Sequence, residues 1–397
     1  MMSSVHLQNL GIVCALGYGE EEVRKALLQG TPIKTQHHLR CRDFETWIGE
    51  VDRSRLPQLP ADLEAYSCIN HRLLYAAWLQ IAEAAVNVRQ SCGACRLGVV
   101  LGSSTSGLDA TEGAFYQKAK TLETPVEYCF SRQHEMGSMS NLLARLAGAQ
   151  GPAYVISTAC SSSAKAMLSA RSLLDLDLCD AVICGGVDSL CDLTLNGFDS
   201  LSLISPGRTL PCSLNRKGLN LGEGCALFLM RKGVGSICLT GGGESSDAHH
   251  ISSPHPEGRG AERAIRVALM DASLHPEDID YVNLHGTGTQ QNDLVEMRAV
   301  ARVFGQCPCS STKPMTGHVL GAAGALEAGL CWLVLHQKGQ QIQVPPHLYD
   351  GIQDPEIPVL ELCSQGRKVG GKGRIRFLST SFAFGGNNCA LVLERME

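Results

Sequence analysis

GPAYVISTACSSSAKAMLSARSLLDLDLCDAVICGGVD, residues 151–188, places a strand, a tight turn, a helix and a second strand in one run. Tyr154 and Ile156 alternate as strand residues do, and the chain then turns through Ser157, Thr158 and Ala159 to reach Cys160. Beyond three serines, Ala164, Met167, Leu168, the stem of Arg171 and Leu174 recur at three- and four-residue spacing, which predicts one apolar helix face. Ala181-Val182-Ile183-Cys184 is a short apolar strand ending in Gly-Gly. Cys160 therefore stands where a strand gives way to a helix. The first N–H groups of a helix have no partners within it, and its start carries partial positive charge. Both effects favour a thiolate, so the sequence predicts a nucleophile at Cys160. Its own N–H would face an oxyanion formed on attack at a carbonyl. The small serines would keep the first turn narrow enough for a substrate to approach. The competing reading, a buried structural cysteine, fits most of the 18 cysteines in the chain.

Working outward, residues 5–19 read as a strand entering a glycine loop, followed by a helix around residues 20–29. The stretch to about Asp62, with Pro32, Pro57 and Pro60, reads as an irregular surface excursion. Residues 65–90 carry a long amphipathic helix pattern, and 96–102 (RLGVVLG) is an apolar run of the kind buried on both faces of a parallel sheet. Residues 110–149 look helical with loops. The two halves repeat each other. Residues 222–230 (GEGCALFLM) resemble 386–394 (GNNCALVLE), and 280–284 leading into a glycine loop parallels 96–101. Residues 311–335 likewise parallel 157–174. The period is too long for a solenoid and predicts a duplicated α/β architecture, with halves at 1–234 and 235–397.

With 397 residues, 44% apolar, the chain can bury a large core. A net charge of −5 argues against nucleic acid or an anionic membrane as partner. No apolar run approaches the ~20 residues of a membrane span, and the start lacks the pattern of a secretion signal. A cytoplasmic location is the expectation. The cysteines are scattered through apolar runs, as reduced buried thiols are. Cys92-Gly-Ala-Cys95 and Cys307-Pro-Cys309 are the close pairs, too few ligands at unsuitable spacing for a zinc site.

A second set of chemistry-bearing residues lies in the C-terminal half. His285-Gly-Thr-Gly-Thr289 follows an apolar strand, Lys313-Pro-Met-Thr-Gly-His318 precedes a glycine- and alanine-rich helix, and residues 379–388 (STSFAFGGNN) form a third glycine loop. Two histidines and a lysine on strand-end loops are what a converging site requires, although one histidine in such a place is more often structural. Phe384 stands where a backbone N–H could complete an oxyanion hole.

T-A-C-S-S-S at 158–163, H-G-T-G-T at 285, K-x-x-x-G-H at 313–318 and F-G-G-N at 384 resemble, in the same order, the motifs of β-ketoacyl-[acyl-carrier-protein] synthases. These condensing enzymes have the thiolase fold, a layered α-β-α-β-α sandwich of two duplicated halves. The resemblance spans essentially the whole chain. It implies that Cys160 accepts an acyl group as a thioester and that His285 and His318 bind the malonyl thioester carbonyl and stabilise the enolate left by decarboxylation. It also implies that Lys313 supports His318 through electrostatics and hydrogen bonding rather than proton chemistry of its own, that Phe384 gates the site, and that Thr287 and Thr289 bind the phosphopantetheine arm. Asp293, Glu296 and Glu327 match supporting acidic positions. Asp293 and Glu296, three apart on a predicted helix, have a solvated face as their alternative reading, whereas Glu327 lies among small apolar residues and is expected buried and paired. No cofactor or metal of the chain's own is implied, since phosphopantetheine is carried by the acyl carrier protein, the expected partner. The strand before Cys160 is expected to pair across a two-fold axis, in a homodimer or with a chain-length-factor-like subunit. Candidate basic residues for carrier docking are Arg53, Arg55, Lys118, Lys120, Arg263 and Arg266.

Two departures stand out. Leu210-Pro211-Cys212-Ser213 and Arg216-Lys217-Gly218 occupy the family's Arg-Pro-aromatic-Asp segment and basic-acidic-glycine turn, and Pro314 replaces the serine after the lysine. They favour a specialised branch, such as polyene or polyketide assembly. Two alternatives are a thiolase, which would place a second cysteine where this chain has Phe384-Gly-Gly-Asn, and a non-catalytic chain-length factor, which would lack Cys160.

Overall fold

The computed structural model describes residues 5–39, 43–233, 235–371 and 373–396. The first half carries β1 (Val5–Cys14), α1 (Ile69–Cys92), β2 (Leu97–Gly102), α2 (Ser138–Ala147), β3 (Ala153–Ile156), α3 (Ser162–Asp175), β4 (Ala181–Asp188) and β5 (Gly224–Lys232). The second repeats that order with β6 (Ile237–Ser246), α4 (Arg259–Asp271), β7 (Tyr281–Asn283), α5 (Gln290–Phe304), β8 (Pro308–Ser310), α6 (Ala323–Leu335), β9 (Ile375–Ala383) and β10 (Asn387–Arg395). In space the strands run β3-β2-β4-β5-β1 and β8-β7-β9-β10-β6. Within each half three neighbouring strands are parallel and the last two are antiparallel to the strands beside them. The duplication is thus one of topology as well as sequence. A bridge between His6 and Cys238 joins the two halves at β1 and β6.

Strand periodicity divides the core into layers. On β5, Ala226, Phe228 and Met230 face the central layer, while Cys225, Leu227 and Leu229 face α1 and α2. On β10, Cys389, Leu391 and Leu393 point to the centre, and Ala390 and Val392 point to the outer cluster with α4 and α5. A register shift between Leu7 and Asn9 on β1 keeps Val5, Leu7, Leu10, Ile12 and Cys14 all on the central side. The central layer is α3 and α6. Every residue of α6 from Ala323 to Leu335 is buried, so it carries no polar face. Gly324 lets it approach α3: a Cβ there would lie 2.7 Å from the Ala164 Cβ and 2.8 Å from the Ala164 nitrogen. The result is the layered α-β-α-β-α sandwich of the thiolase fold.

The region from residue 30 to Asp62 departs from the expected irregular excursion. Thr35–Leu39 and Phe44–Ile48 pair as an antiparallel hairpin, with residues 40–42 outside the described set. Leu39 and Ile48 pack with Leu219 and Leu221, and buried Thr46 donates to the Ser205 carbonyl at 2.7 Å. This segment braces the chain beside the catalytic loops. Its polar composition hid a side chain pattern that alternates only over five residues at a time. No helix among the described residues is long and apolar enough to cross a membrane.

Candidate active site

The parallel strands of each half deliver their carboxyl ends to one cleft, the usual place for ligands in α/β sheets. From β3 the chain passes through Ala159, whose φ of 51° is uncommon for a residue with a side chain, to Cys160, and α3 begins at Ser162. The three serines are buried. Ser162 Oγ accepts from the Thr158 nitrogen at 2.8 Å and donates to the Ala159 carbonyl at 2.5 Å, Ser161 Oγ donates to the Thr158 carbonyl at 2.9 Å, and Ser163 Oγ accepts from the Ala325 nitrogen at 2.8 Å. They fix the turn and tie it to the start of α6. Their function is hydrogen bonding as much as small size.

From the other half, the loop after β7 brings His285 and the loop after β8 brings His318. His318 Nε2 lies 3.1 Å from Cys160 Sγ, and the two imidazole rings are 5.1 Å apart at 84°. Cys160, His285, His318, Thr287, Thr289 and Phe384 all line one cavity of about 470 Å³. The Phe384 ring stacks obliquely on Phe198, 5.7 Å between centroids, on the wall of that cavity. Thr287 and Thr289 have their hydroxyls 3.0 Å apart.

Behind this layer stand the acidic residues and the lysine. Glu296 accepts from the backbone nitrogens of His285 and Gly286, both at 2.7 Å, and from Thr380 Oγ1 at 2.8 Å. Asp293 accepts from the Gly288 nitrogen at 3.1 Å and the Cys212 nitrogen at 2.9 Å. Both carboxylates are buried, so the solvated-face alternative is excluded. The sequence spacing put them on one face of α5, but only the tertiary fold turns that face inward. Lys313 Nζ pairs with Glu327 Oε1 at 2.5 Å and lies 3.4 Å from His285 Nδ1. The direct lysine contact is therefore with His285 rather than His318, while the Lys313 charge acts on both imidazoles.

The electrostatics differ from the simple helix-start expectation. Burial pushes the Cys160 thiol up to about 12, with Lys313 pulling it down and Asp188 pushing it up. Cys160 precedes the first residue of α3 by two positions, and desolvation outweighs the helix field there. Burial drives both imidazoles well below the ordinary histidine range, and the Lys313 charge pushes in the same direction. The site thus rests as a thiol beside two neutral imidazoles, one of which is placed to take its proton.

Sequence reasoning missed Asp188. It ends β4 as a buried carboxylate that accepts from Ser103 Oγ at 2.5 Å, Thr105 Oγ1 at 2.7 Å, and the backbone nitrogens of Thr105 and Ala322 at 2.9 and 3.1 Å. It pins the loop after β2 to the turn that begins α6. An acidic residue closing an otherwise apolar run was the available signal. Cys160, His285 and His318 also present ligand atoms within 4.8 Å of one another, a set that could hold a soft divalent cation. The Lys313 charge opposes one, and a cation there would stand where the thiol and imidazoles face the cavity.

Residues 21–233 match the model of the β-ketoacyl synthase N-terminal domain, and 237–348 that of its C-terminal domain. The chain belongs to the β-ketoacyl synthase family. Among relatives of this synthase, Nodulation protein E of Rhizobium meliloti (strain 1021) is 32% identical over 99% of both chains. The chloroplastic 3-oxoacyl-[acyl-carrier-protein] synthase II of Arabidopsis thaliana is 30% identical over 98% of this chain and 75% of its own. A chain of the ketosynthase–chain length factor complex from Xenorhabdus doucetiae superposes with a TM-score of 0.93 at 38% identity, covering 99% of this synthase and 98% of that chain. A β-ketoacyl synthase from Burkholderia phymatum STM815 superposes with a TM-score of 0.86 at 26% identity over the full length of both.

Proposed function

We propose that this synthase elongates a Cys160-bound acyl chain by decarboxylative Claisen condensation with malonyl-[acyl-carrier protein]. The observation that carries the assignment of roles is the 3.1 Å contact between Cys160 Sγ and His318 Nε2, with His285 against the same imidazole. In the first step His318 takes the thiol proton, sulfur attacks the carrier-bound acyl carbonyl, and the carrier thiol leaves with a proton. In the second, a malonyl thioester replaces it with its carbonyl oxygen toward the imidazole N–H groups. The carbon–carbon bond to the carboxylate breaks, CO2 departs, and the electron pair forms an enolate. Two uncharged imidazoles donate hydrogen bonds to it without giving up a full proton. The enolate carbon then attacks the acyl carbonyl, the carbon–sulfur bond to Cys160 breaks, and the sulfur leaves as a thiolate that takes a proton from water. The backbone N–H groups of Cys160 and Phe384 hold the oxyanion of that step. Lys313, through the pair with Glu327, keeps His285 uncharged, and Glu296 and Asp293 hold its loop. Thr287 and Thr289 receive the phosphopantetheine arm, so the chain needs no cofactor of its own.

The partners follow from the same reading. An acyl carrier protein supplies both substrates at the cavity mouth. A second subunit, a copy of this chain or a chain-length-factor-like protein, covers β3. That strand ends its sheet with Ala153 exposed and the other three residues half-buried, whereas β2 beside it is buried throughout. Exposed Phe115, Leu122 and Val126 lie on the segment between β2 and β3. The likeness to the Xenorhabdus doucetiae complex supports the heteromeric form and a specialised pathway. No disulfide is formed among the described cysteines, which suits a cytoplasmic setting.

The test is to incubate the purified synthase with a panel of acyl-carrier thioesters and malonyl carrier, with and without candidate partner subunits. Acylation of Cys160, seen by mass spectrometry, followed by release of CO2 and a β-ketoacyl carrier is expected. A protein that never takes up an acyl group at Cys160 in any combination would refute the assignment.

A further inference from the structure

The turn Arg216-Lys217-Gly218 forms part of the rim of the catalytic cavity, beside Thr287 and Thr289. Its two outer residues are fixed. Arg216 is buried, with its guanidinium donating to Asp354 at 2.5 Å, to the Ser213 carbonyl at 2.8 Å and to the Gln290 carbonyl at 3.2 Å. Gly218 donates its N–H to the Gly288 carbonyl at 3.1 Å, between the two threonines, and has a φ of +128°. A Cβ at Gly218 would lie 2.2 Å from the Leu203 carbonyl oxygen, so this backbone has one tolerated course. Thr209 Oγ1 bonds both the Gly218 and Thr287 carbonyls, at 2.8 and 3.0 Å, and locks the turn to the threonine loop.

Lys217, between these anchors, is exposed, lines the cavity, and makes no ion pair or hydrogen bond among the described residues. Its neighbour Arg216 is already matched by Asp354 and, at 3.8 Å, Asp293. Asp247, the acidic residue elsewhere on the lining, is occupied by the His255 nitrogen at 2.9 Å and the Asn388 amide at 2.8 Å. Lys217 is therefore the one Lys or Arg of the lining with no carboxylate partner among the described residues, and it stands on a rigid turn, while Asp247 is held by neutral donors. The docking candidates Arg53, Arg55 and Arg266, by contrast, are paired with Glu223, Glu22 and Glu262.

We propose that Lys217 is a substrate-specificity residue that binds the phosphodiester of the carrier's phosphopantetheine arm as the arm passes between it and the threonine loop. This rests on the condensation assigned above and names the anion its substrate arm presents at the rim. A flexible ammonium suits a phosphodiester that must enter and leave at every cycle, since it gives charge without the fixed two-point geometry of arginine. An exposed pair of this kind contributes modestly, so the effect on turnover is about fivefold.

Malonyl-phosphopantetheine and malonyl-pantetheine differ only in phosphate and isolate that charge from the carrier protein. The wild type is expected to use the phosphorylated thioester about fivefold better in kcat/KM. In Lys217→Gln the two thioesters should converge, and in Lys217→Arg the preference should persist. Full carrier protein serves as a third arm: a loss in Lys217→Gln seen only with carrier, and not with the small phosphorylated thioester, would mean that Lys217 meets acidic carrier side chains and would overturn the assignment. So would an undiminished phosphate preference in Lys217→Gln. Binding of phosphopantetheine itself, followed by calorimetry, reads Lys217 without turnover. Failure of the wild type to condense any substrate would fall on the proposed reaction, while that titration would still decide the role of Lys217.

Discussion

At the scale of single residues, the site depends on the thiol beside His318 being a thiol. With Cys160 raised to about 12 and both imidazoles lowered, the expected pH behaviour has a definite sign. The neutral imidazole is the working form, so activity falls only on the acid side, with its limb below the ordinary histidine value of about 6.5. A profile of kcat/KM against pH showing that limb at or above 6.5 would contradict it. Removing the sulfur in Cys160→Ala should abolish the acyl adduct in intact-protein mass spectra. Lys313→Ala removes the charge that depresses His285, so the acid limb should move up. It also leaves Glu327 buried without its partner, at a stability cost of about 3–5 kcal/mol that Glu327→Ala in the same protein should partly restore. Thermal melts and the pH profile together check both outcomes. The reacting residues were legible in sequence because each is framed by glycines or serines at a strand end. The contact of Lys313 with His285 was not, because residues three to five apart on a looped segment give no bearing on what lies across it.

At the scale of elements, α5 and the central helices carry the precision of the site. Glu296 binds two consecutive backbone nitrogens of the His285 loop, and burial raises its carboxyl to about 7. Its folded-state value lies above the unfolded one, so its contribution to stability is fully present below about 4.5 and is lost as pH rises through about 7. Glu296→Gln should flatten that part of the stability–pH curve, lower the unfolding free energy by about 2 kcal/mol on the acid side with a deficit that shrinks as pH rises through about 7, and reduce kcat. Chemical denaturation across that pH range measures it. Gly324→Val would drive a side chain into Ala164, separating α3 from α6, and should cost about 3 kcal/mol or prevent folding. Periodicity placed β3, α3 and β4 around Cys160, together with β1, α1 and β2, while α4 and β6 went unread. Burial of the Asp293–Glu296 face was not, since two acids three apart describe a wet face and a buried brace equally well. The hairpin at 35–48 escaped notice because its strands are short and polar at alternate positions.

At the scale of the whole molecule, the duplication visible in the paired GEGCALFLM and GNNCALVLE stretches is the fold itself, strand for strand. The halves are not separable bodies, however: residues of β1, β5, α3, α6, β9 and β10 share one central apolar cluster. A single cooperative unfolding transition is therefore expected in calorimetry, and two resolved transitions would argue against the shared core. The exposed edge of β3 belongs to this scale too. Val155→Lys, placing charge along that edge, should lower the particle mass found by light scattering if a second subunit seals it.

The sulfur and its two imidazoles come from opposite halves of the chain, and the sulfur is translated first. A ribosome that has made the first 236 residues holds a nascent chain with the nucleophile but neither histidine. Until the second half is made, that sulfur has neither imidazole at its side, and the reaction centre exists only once strands from both halves have come together.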